Sequence, residues 1–334
     1  MMSRAVLCLS LLGAAPARGA PDEVVRLPSG LGNAGAGELE MAMRHQAPKH
    51  GEPRAAPVLI LHGATFPSAN AAAWPGEGGS WMEALADSGR DVWALDFVGY
   101  GASDRYPEMS MEAATGEPLG GLDAMLEQVE RAVAAIATRS RGERVVLVAH
   151  SAGTFVAGRF AELHPAQVAG LVLFGAPFPE GGPDPEERLP GAPYFDMTPE
   201  EQWESFEPAV RDAGHWTRKT ALHWGEAWLA SEPRAQGRTP PAVRVPYGLI
   251  AELQKMRRTG RSPYEPARIA SPVLVVVGEW DAVTPIAQSL DLFRRLPGTE
   301  KRLAILGQGG HRMHLEHTRG ALFAEVAAFI GGLP

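Results

Sequence analysis

Val145 to Thr154 reads VVLVAHSAGT, and the reading of this stretch decides the fold. Four apolar residues, Val145, Val146, Leu147 and Val148, give way to a single serine, and small residues then lead into a helix-compatible run, FVAGRFAEL. The pattern predicts a buried strand, a sharp turn with Ser151 at its apex, and a helix. Such a turn strains the serine backbone and lifts its Oγ clear of the sheet. It also leaves the first N–H groups of the helix beside any carbon that the oxygen attacks. Strand and helix approach closely there, so the residues two before and two after the serine must be small; they are Ala149 and Gly153. An isolated A-x-S-x-G also arises from a serine that merely caps a helix, so the rest of the chain has to decide.

Four further landmarks do so. Val58 to Thr65 reads VLILHGAT, a buried strand running into His62-Gly63. Val92 to Asp104 reads VWALDFVGYGASD, a strand ending at Asp96 followed by Gly99 and Gly101, which permit positive φ and close backbone approach. Pro272 to Pro285 reads PVLVVVGEWDAVTP, in which the apolar strand Val273 to Val277 precedes two carboxylates, Glu279 and Asp281. Arg302 to Glu316 reads RLAILGQGGHRMHLE, a last strand meeting a glycine-rich turn and then His311.

These landmarks, in this order, resemble the α/β-hydrolase family from about Glu38 to the C-terminus, least so across Phe178 to Ala270. The resemblance implies a doubly wound, mostly parallel α/β sheet with an inserted helical cap. It implies a Ser151 nucleophile, an Asp281 acid and a His311 base, in the chain order nucleophile, acid, base. It also implies an oxyanion hole made by the backbone N–H groups of Ala64, the residue after His-Gly, and Ala152, the residue after the serine. Glu279 lies two residues before Asp281 and should point the other way. The preceding core strand, LVLFGAP from Leu171, ends without a carboxylate before Glu180, which supports Asp281. Asp96, Asp104 and His62 are expected to be structural, and Thr65 to cap its loop. Glu316, five residues after His311, fits a glutamate that the family carries. His311, His314 and His317 could be read as a metal cluster, but the third drifts off the shared face and no carboxylate or cysteine pattern completes a zinc site. No metal and no cofactor is expected.

The stretch Phe178 to Ala270 opens with a Pro/Gly/Glu-rich run and continues with Trp-rich helical segments, and is expected to be the cap. The core then comprises residues 21–177 and 271–334. Trp224 and Trp228, with Trp203 and Trp216, are candidate walls of a substrate pocket, or the cap's own small core. Ser29 to Gly37 reads as a glycine-rich linker, and ELEMAMRH from Glu38 as an antiparallel edge strand. Leu122, Leu126, Val129, Val133 and Ile136 make one apolar helical stripe before the nucleophile strand.

The chain has 334 residues, 45% hydrophobic and 21% charged, which suits one large α/β domain with an insertion and is too apolar for disorder. A net charge of −8 without a basic block argues against a nucleic-acid partner. Residues 1–20 carry Arg4, an apolar run from Ala5 to Ala15 and small residues with proline, the pattern of a secretory signal peptide. The run is too short to cross a bilayer, so no stable membrane insertion is expected. Cys8 is the single cysteine and lies inside that segment, leaving an exported chain without disulfides. A secreted or periplasmic location is the expectation, and the sequence leaves the oligomeric state open.

The expected chemistry is hydrolysis of a small-molecule carboxylic ester or lactone through an acyl-enzyme. Family members that open epoxides or displace halide use aspartate in place of the serine. Carbon–carbon bond hydrolysis and cofactor-free perhydrolysis use the same three residues and stay open, as does a ligand-binding protein of slow turnover.

Overall fold

The computed structural model describes residues 23–33, 37–49, 56–76, 78–112, 115–140, 144–298 and 300–333. The expected signal peptide, residues 1–20, lies outside them. Strands β1 (Glu23–Asn33), β2 (Gly37–Gln46) and β3 (Val58–Leu61) are followed by α1 (Trp81–Asp87), β4 (Val92–Asp96) and α2 (Leu122–Arg139). Then come β5 (Val145–His150), α3 (Gly153–Leu163) and β6 (Val168–Phe174). The inserted region holds β7 (Tyr194–Met197), α4 (Pro199–Glu204), α5 (Pro208–Asp212), α6 (Arg218–Ala230), β8 (Val243–Pro246) and α7 (Gly248–Thr259). The chain closes with β9 (Val273–Gly278), α8 (Ile286–Arg295), β10 (Lys301–Leu306) and α9 (Arg319–Gly331).

Eight strands form one sheet in the order β1-β2-β4-β3-β5-β6-β9-β10. The six from β4 to β10 run parallel, and β2 meets β4 antiparallel. Side chains of a strand alternate between faces, and the two hydrophobic clusters follow that period of two. Leu59, Leu61, Leu147, Leu171, Leu173, Val273 and Val275 meet α2 and α3 on one face. Val58, Ile60, Val146, Val148, Val172, Leu274 and Val276 meet α1 and α9 on the other. Both faces are covered, which is why β3, β5, β6 and β9 are buried at every position and read as near-continuous apolar runs. Helix α1 starts at a reciprocal capping box formed by Ser80 and Glu83.

Two expectations about the first strands need correction. Glu38 to His45 is not an edge: β2 pairs with β1 on one side and β4 on the other, and Met41, Ala42 and Met43 are buried. The edge is β1, and much of the presumed linker from Ser29 belongs to it. Its glycines serve a register shift between Pro28 and Gly32 rather than a flexible tether, with Gly30 at φ +84°. The insertion is also not wholly helical. β7 and β8 pair antiparallel, Tyr194 opposite Pro246. Arg244 on β8 forms a two-pronged ion pair with Asp196 at 2.7 and 2.8 Å and donates to the carbonyls of Met109 and Met111, tying the ribbon to the loop after β4.

Candidate active site

The turn between β5 and α3 holds Ser151 at φ +53°, one of two non-glycine residues with positive φ among the described residues. A left-handed backbone costs a non-glycine residue on the order of 1–2 kcal/mol, so neighbours must hold it. The Ser151 N–H donates to the Phe174 carbonyl on β6 at 2.9 Å. Its own carbonyl accepts from the Thr154 N–H at 2.9 Å and the Thr154 hydroxyl at 2.6 Å. Gly153 has to be glycine because a Cβ there would overlap the His62 carbonyl oxygen. A Cβ on Gly63 would stand 3.1 Å from Ser151 Cβ, so the loop after β3 lies directly against the serine. That contact brings the Ala64 and Ala152 turns together. Among the described residues no backbone carbonyl takes up either N–H.

The strand-end loops of β9 and β10 bring in the other two residues. Ser151 Oγ lies 2.8 Å from His311 Nε2, and His311 Nδ1 lies 2.9 Å from Asp281 Oδ2. The two loops touch so closely that a Cβ on Gly278 would overlap the Gly309 carbonyl. Asp281 is almost fully enclosed by donors. Its Oδ1 accepts the N–H groups of Val283 at 3.0 Å and Thr284 at 2.7 Å, and its Oδ2 also accepts the Thr284 hydroxyl at 2.6 Å. Burial alone would raise this carboxyl, but the attraction of His311 and the hydrogen bonds from His311 and Thr284 outweigh burial and hold it below its usual range.

The competing carboxylates are occupied elsewhere. Glu279 accepts the Gln308 N–H at 2.9 Å. Asp96 accepts the N–H groups of Ser68 and Ala102, and Asp104 that of Glu40. His62 donates from Nδ1 to the Gly63 carbonyl at 2.7 Å and accepts the Phe97 N–H at Nε2, the loop-tying place expected of it. Burial lowers its pKa and keeps it neutral. His314 is buried against His150, Trp81 and Phe66, and burial drives it down to about 3. No set of three His, Cys, Asp or Glu side chains among the described residues could hold a metal ion.

Trp224 and Trp228 are 2% and 0% exposed. Trp224 stacks edge-on to Phe66 and Trp216, lies against Trp228, and donates its Nε1–H to the Asn70 carbonyl at 2.9 Å. These contacts seat α6 on the loop after β3.

Three buried residues near the array were not singled out from the sequence. Thr284 is foreshadowed by its spacing from Asp281, since a short polar side chain three residues on can bond back to the carboxylate. His150 sits beside the serine and donates from Nε2 to the His311 carbonyl at 2.8 Å. Glu207, from the inserted region, accepts the His311 N–H at 2.9 Å, and nothing in its local sequence announces that. Glu316 lies where expected and accepts the Gly310 N–H at 2.9 Å. Burial pushes its carboxyl up to about 7, against the pull of the Gly310 amide and with a further push from Glu207.

A parallel sheet with this strand order and a serine elbow between β5 and α3 agrees with the family whose model, described as the alpha/beta hydrolase fold, matches residues 56–318. The chain belongs to the α/β-hydrolase family. Among curated α/β-hydrolase relatives, it is 32% identical over 148 residues to epoxide hydrolase B of Mycobacterium tuberculosis, covering 42% of this chain and 34% of that protein. The aligned part is thus about a third of that relative's length. Solved α/β-hydrolase structures superimpose over nearly the whole chain. A thermophilic esterase from Thermogutta terrifontis gives a TM-score of 0.60 at 19% identity, over 92% of this chain and 98% of that one. A 2-hydroxy-6-oxo-6-phenylhexa-2,4-dienoate hydrolase from Rhodococcus sp. strain RHA1 gives 0.59 at 19%, over 93% and 100%. At such identities these neighbours carry the fold and no more.

Proposed function

We propose that this α/β-hydrolase cleaves a carboxylic ester or lactone, with Ser151 as nucleophile, His311 as general base and Asp281 as its orienting acid. The supporting observation is the hydrogen-bonded line Ser151 Oγ–His311 Nε2 and His311 Nδ1–Asp281 Oδ2, at 2.8 and 2.9 Å, built on a serine held at φ +53°. His311 takes the serine proton as Oγ attacks the carbonyl carbon, and Asp281 keeps the imidazole in the tautomer whose Nε2 can accept. The N–H groups of Ala64 and Ala152 receive the oxyanion; one such donor contributes about 3–4 kcal/mol to catalysis. His311 returns the proton to the leaving alcohol, and water then attacks the acyl-enzyme with His311 again as base. No bound metal or cofactor enters these steps.

The test is hydrolysis of a chromogenic ester series of increasing acyl length by the wild type and by Ser151→Ala. Turnover by the wild type alone supports the reading, and the length profile sizes the acyl site. Inertness of both across the series refutes simple ester hydrolysis. On separate grounds, Arg4 followed by the apolar run Ala5 to Ala15 and then small residues with proline, we propose that the protein acts outside the cytoplasm. N-terminal sequencing of the mature protein from each cell fraction tests this, and an uncleaved cytoplasmic chain refutes it.

A further inference from the structure

We propose that Glu207, a residue of the inserted region, is a positioning residue that fixes the main chain of His311, so that alignment of the base depends on the cap being seated. The inference rests on the reading of Ser151, Asp281 and His311 as the reacting machinery.

Four observations carry it. Glu207 is 5% exposed, and its Oε1 accepts the His311 N–H at 2.9 Å. It occupies the N-cap of α5, where a carboxylate would ordinarily turn back onto the open N–H groups of its own helix. It makes no such cap bond, and its side chain reaches across to the histidine loop instead. The other end of the same residue is gripped from the opposite layer, because His150, next to the nucleophile, donates to the His311 carbonyl at 2.8 Å. The cap therefore holds the histidine's N–H while the nucleophile elbow holds its C=O.

The grip extends to the residue after the histidine. Arg312 donates to the Ser205 carbonyl and to the Ser205 hydroxyl, both at 2.9 Å, and its guanidinium lies 4.6 Å from the centre of the Phe206 ring. Cap residues 205–207 thus hold residues 311–312 by three hydrogen bonds and a ring contact. On the core side, Glu316 takes the preceding amide, that of Gly310. Glu207 Oε2 and Glu316 Oε1 each lie 2.8 Å from where a Cβ on Gly310 would stand, so the two carboxyl groups converge on this glycine. Two successive amides of the histidine loop are therefore taken by carboxyl groups, one from the core and one from the cap. The imidazole has to meet both Ser151 and Asp281, so a loop freed on its cap side loses alignment without losing any reacting group.

The experiment compares full-length wild type, Glu207→Ala and Glu207→Gln. The readouts are kcat and KM on the best ester, the pH dependence of Ser151 labelling by a fluorophosphonate, and the downfield proton resonance of His311 Nδ1–H. Glutamine keeps an amide oxygen at the accepting position, and its NH2 can donate toward Glu316. The expected result is a kcat about 10- to 100-fold lower in the alanine variant, the range set by a lost hydrogen bond that leaves a buried N–H unpaired. KM should change little, the Nδ1–H resonance should broaden, and glutamine should restore most of the loss. A folded alanine variant with kcat within twofold of wild type and an unchanged resonance overturns the proposal. Should alanine fail to fold, Glu207→Asp, one methylene too short to reach His311, takes its place with the same two outcomes. The resonance is read without substrate. If the wild type hydrolyses no ester, it still decides whether Glu207 positions His311, and the two readings fail separately.

Discussion

Replacing Asp281 by asparagine should nearly abolish the reactivity of Ser151, and the structure says why the amide cannot rescue itself by turning over. Asp281 Oδ1 accepts two backbone N–H groups, those of Val283 at 3.0 Å and Thr284 at 2.7 Å. Oδ2 accepts the Thr284 hydroxyl at 2.6 Å and faces His311 Nδ1 at 2.9 Å. An asparagine has to present its oxygen to the two backbone donors. The opposite orientation sets N–H against N–H twice and leaves two buried donors unpaired, at about 1–3 kcal/mol each. The NH2 group therefore occupies the Oδ2 position. Thr284 can rotate its hydroxyl to accept, but His311 Nδ1 can accept only by giving up its proton. That proton moves to Nε2, which faces Ser151 Oγ and then cannot take the serine's proton. A wrong-tautomer triad loses about 10⁴ in kcat, or roughly 5.4 kcal/mol of barrier. The assay is the second-order rate of fluorophosphonate labelling together with kcat on a chromogenic ester, with the thermal midpoint confirming a folded variant. A folded Asp281→Asn chain labelled within tenfold of the wild-type rate refutes the reasoning, and Glu279 then becomes the acid to test.

Other perturbations follow from the same geometry. Ser151→Gly should be inactive yet more stable than Ser151→Ala by about 1 kcal/mol, because glycine occupies φ +53° without strain and alanine does not; equal urea midpoints would sink this. Gly153→Ala should destabilise by about 1–3 kcal/mol, since its Cβ has to displace the His62 carbonyl; an unchanged midpoint would show that the elbow yields freely. Glu316, raised by burial from the ordinary 4.5 to about 7, is neutral in folded and unfolded chains alike at low pH. As pH rises through the unfolded value the unfolded chain gives up this proton first, so the folded state loses on the order of 3 kcal/mol by the time pH passes the folded value. Glu316→Gln should flatten that part of the stability profile between about pH 4.5 and 7; an unaltered slope in urea titrations contradicts the assignment.

Ser151, Asp281 and His311 were legible as candidates because each follows a strand whose apolar run stops at a turn, and a parallel sheet puts all such strand ends on one edge. The continuous apolar runs of the central strands and the stripe of α2 were legible for the same reason: both patterns are local. Failure came where partners are distant in sequence. Whether Met41 to Met43 lie at an edge depends on β1, whose glycines and Pro28 obscure its strand pattern. The short ribbon β7–β8 is bridged by Arg244 and Asp196, which lie 48 residues apart. The hold of Glu207 on His311 spans 104 residues. Trp224 and Trp228 could be recognised as large buried rings, but whether a ring faces substrate or another ring is settled only by what packs against it.

The kinship with a mycobacterial epoxide hydrolase, 32% identity over 148 residues, raises a chemical question that tests the proposed role of the serine. Suppose Ser151 Oγ attacked an epoxide carbon. The ring would open to an alkoxide, a proton would complete the alcohol, and the enzyme would be left joined to its product through an ether. An ether offers no carbonyl for water to attack and no oxyanion for the N–H groups of Ala64 and Ala152 to stabilise, so the cycle stops there. A carboxylate at the same place would form an ester, which water can cleave. The prediction is therefore asymmetric. With an aryl epoxide, this chain should give at most one covalent adduct per active site and no diol beyond the uncatalysed background, while esters are turned over. Mass spectrometry of the intact protein, with diol measured by chromatography, separates the cases. Repeated turnover of epoxide by the wild type, lost in Ser151→Ala, would contradict both the ether argument and the assignment of ester chemistry to this elbow.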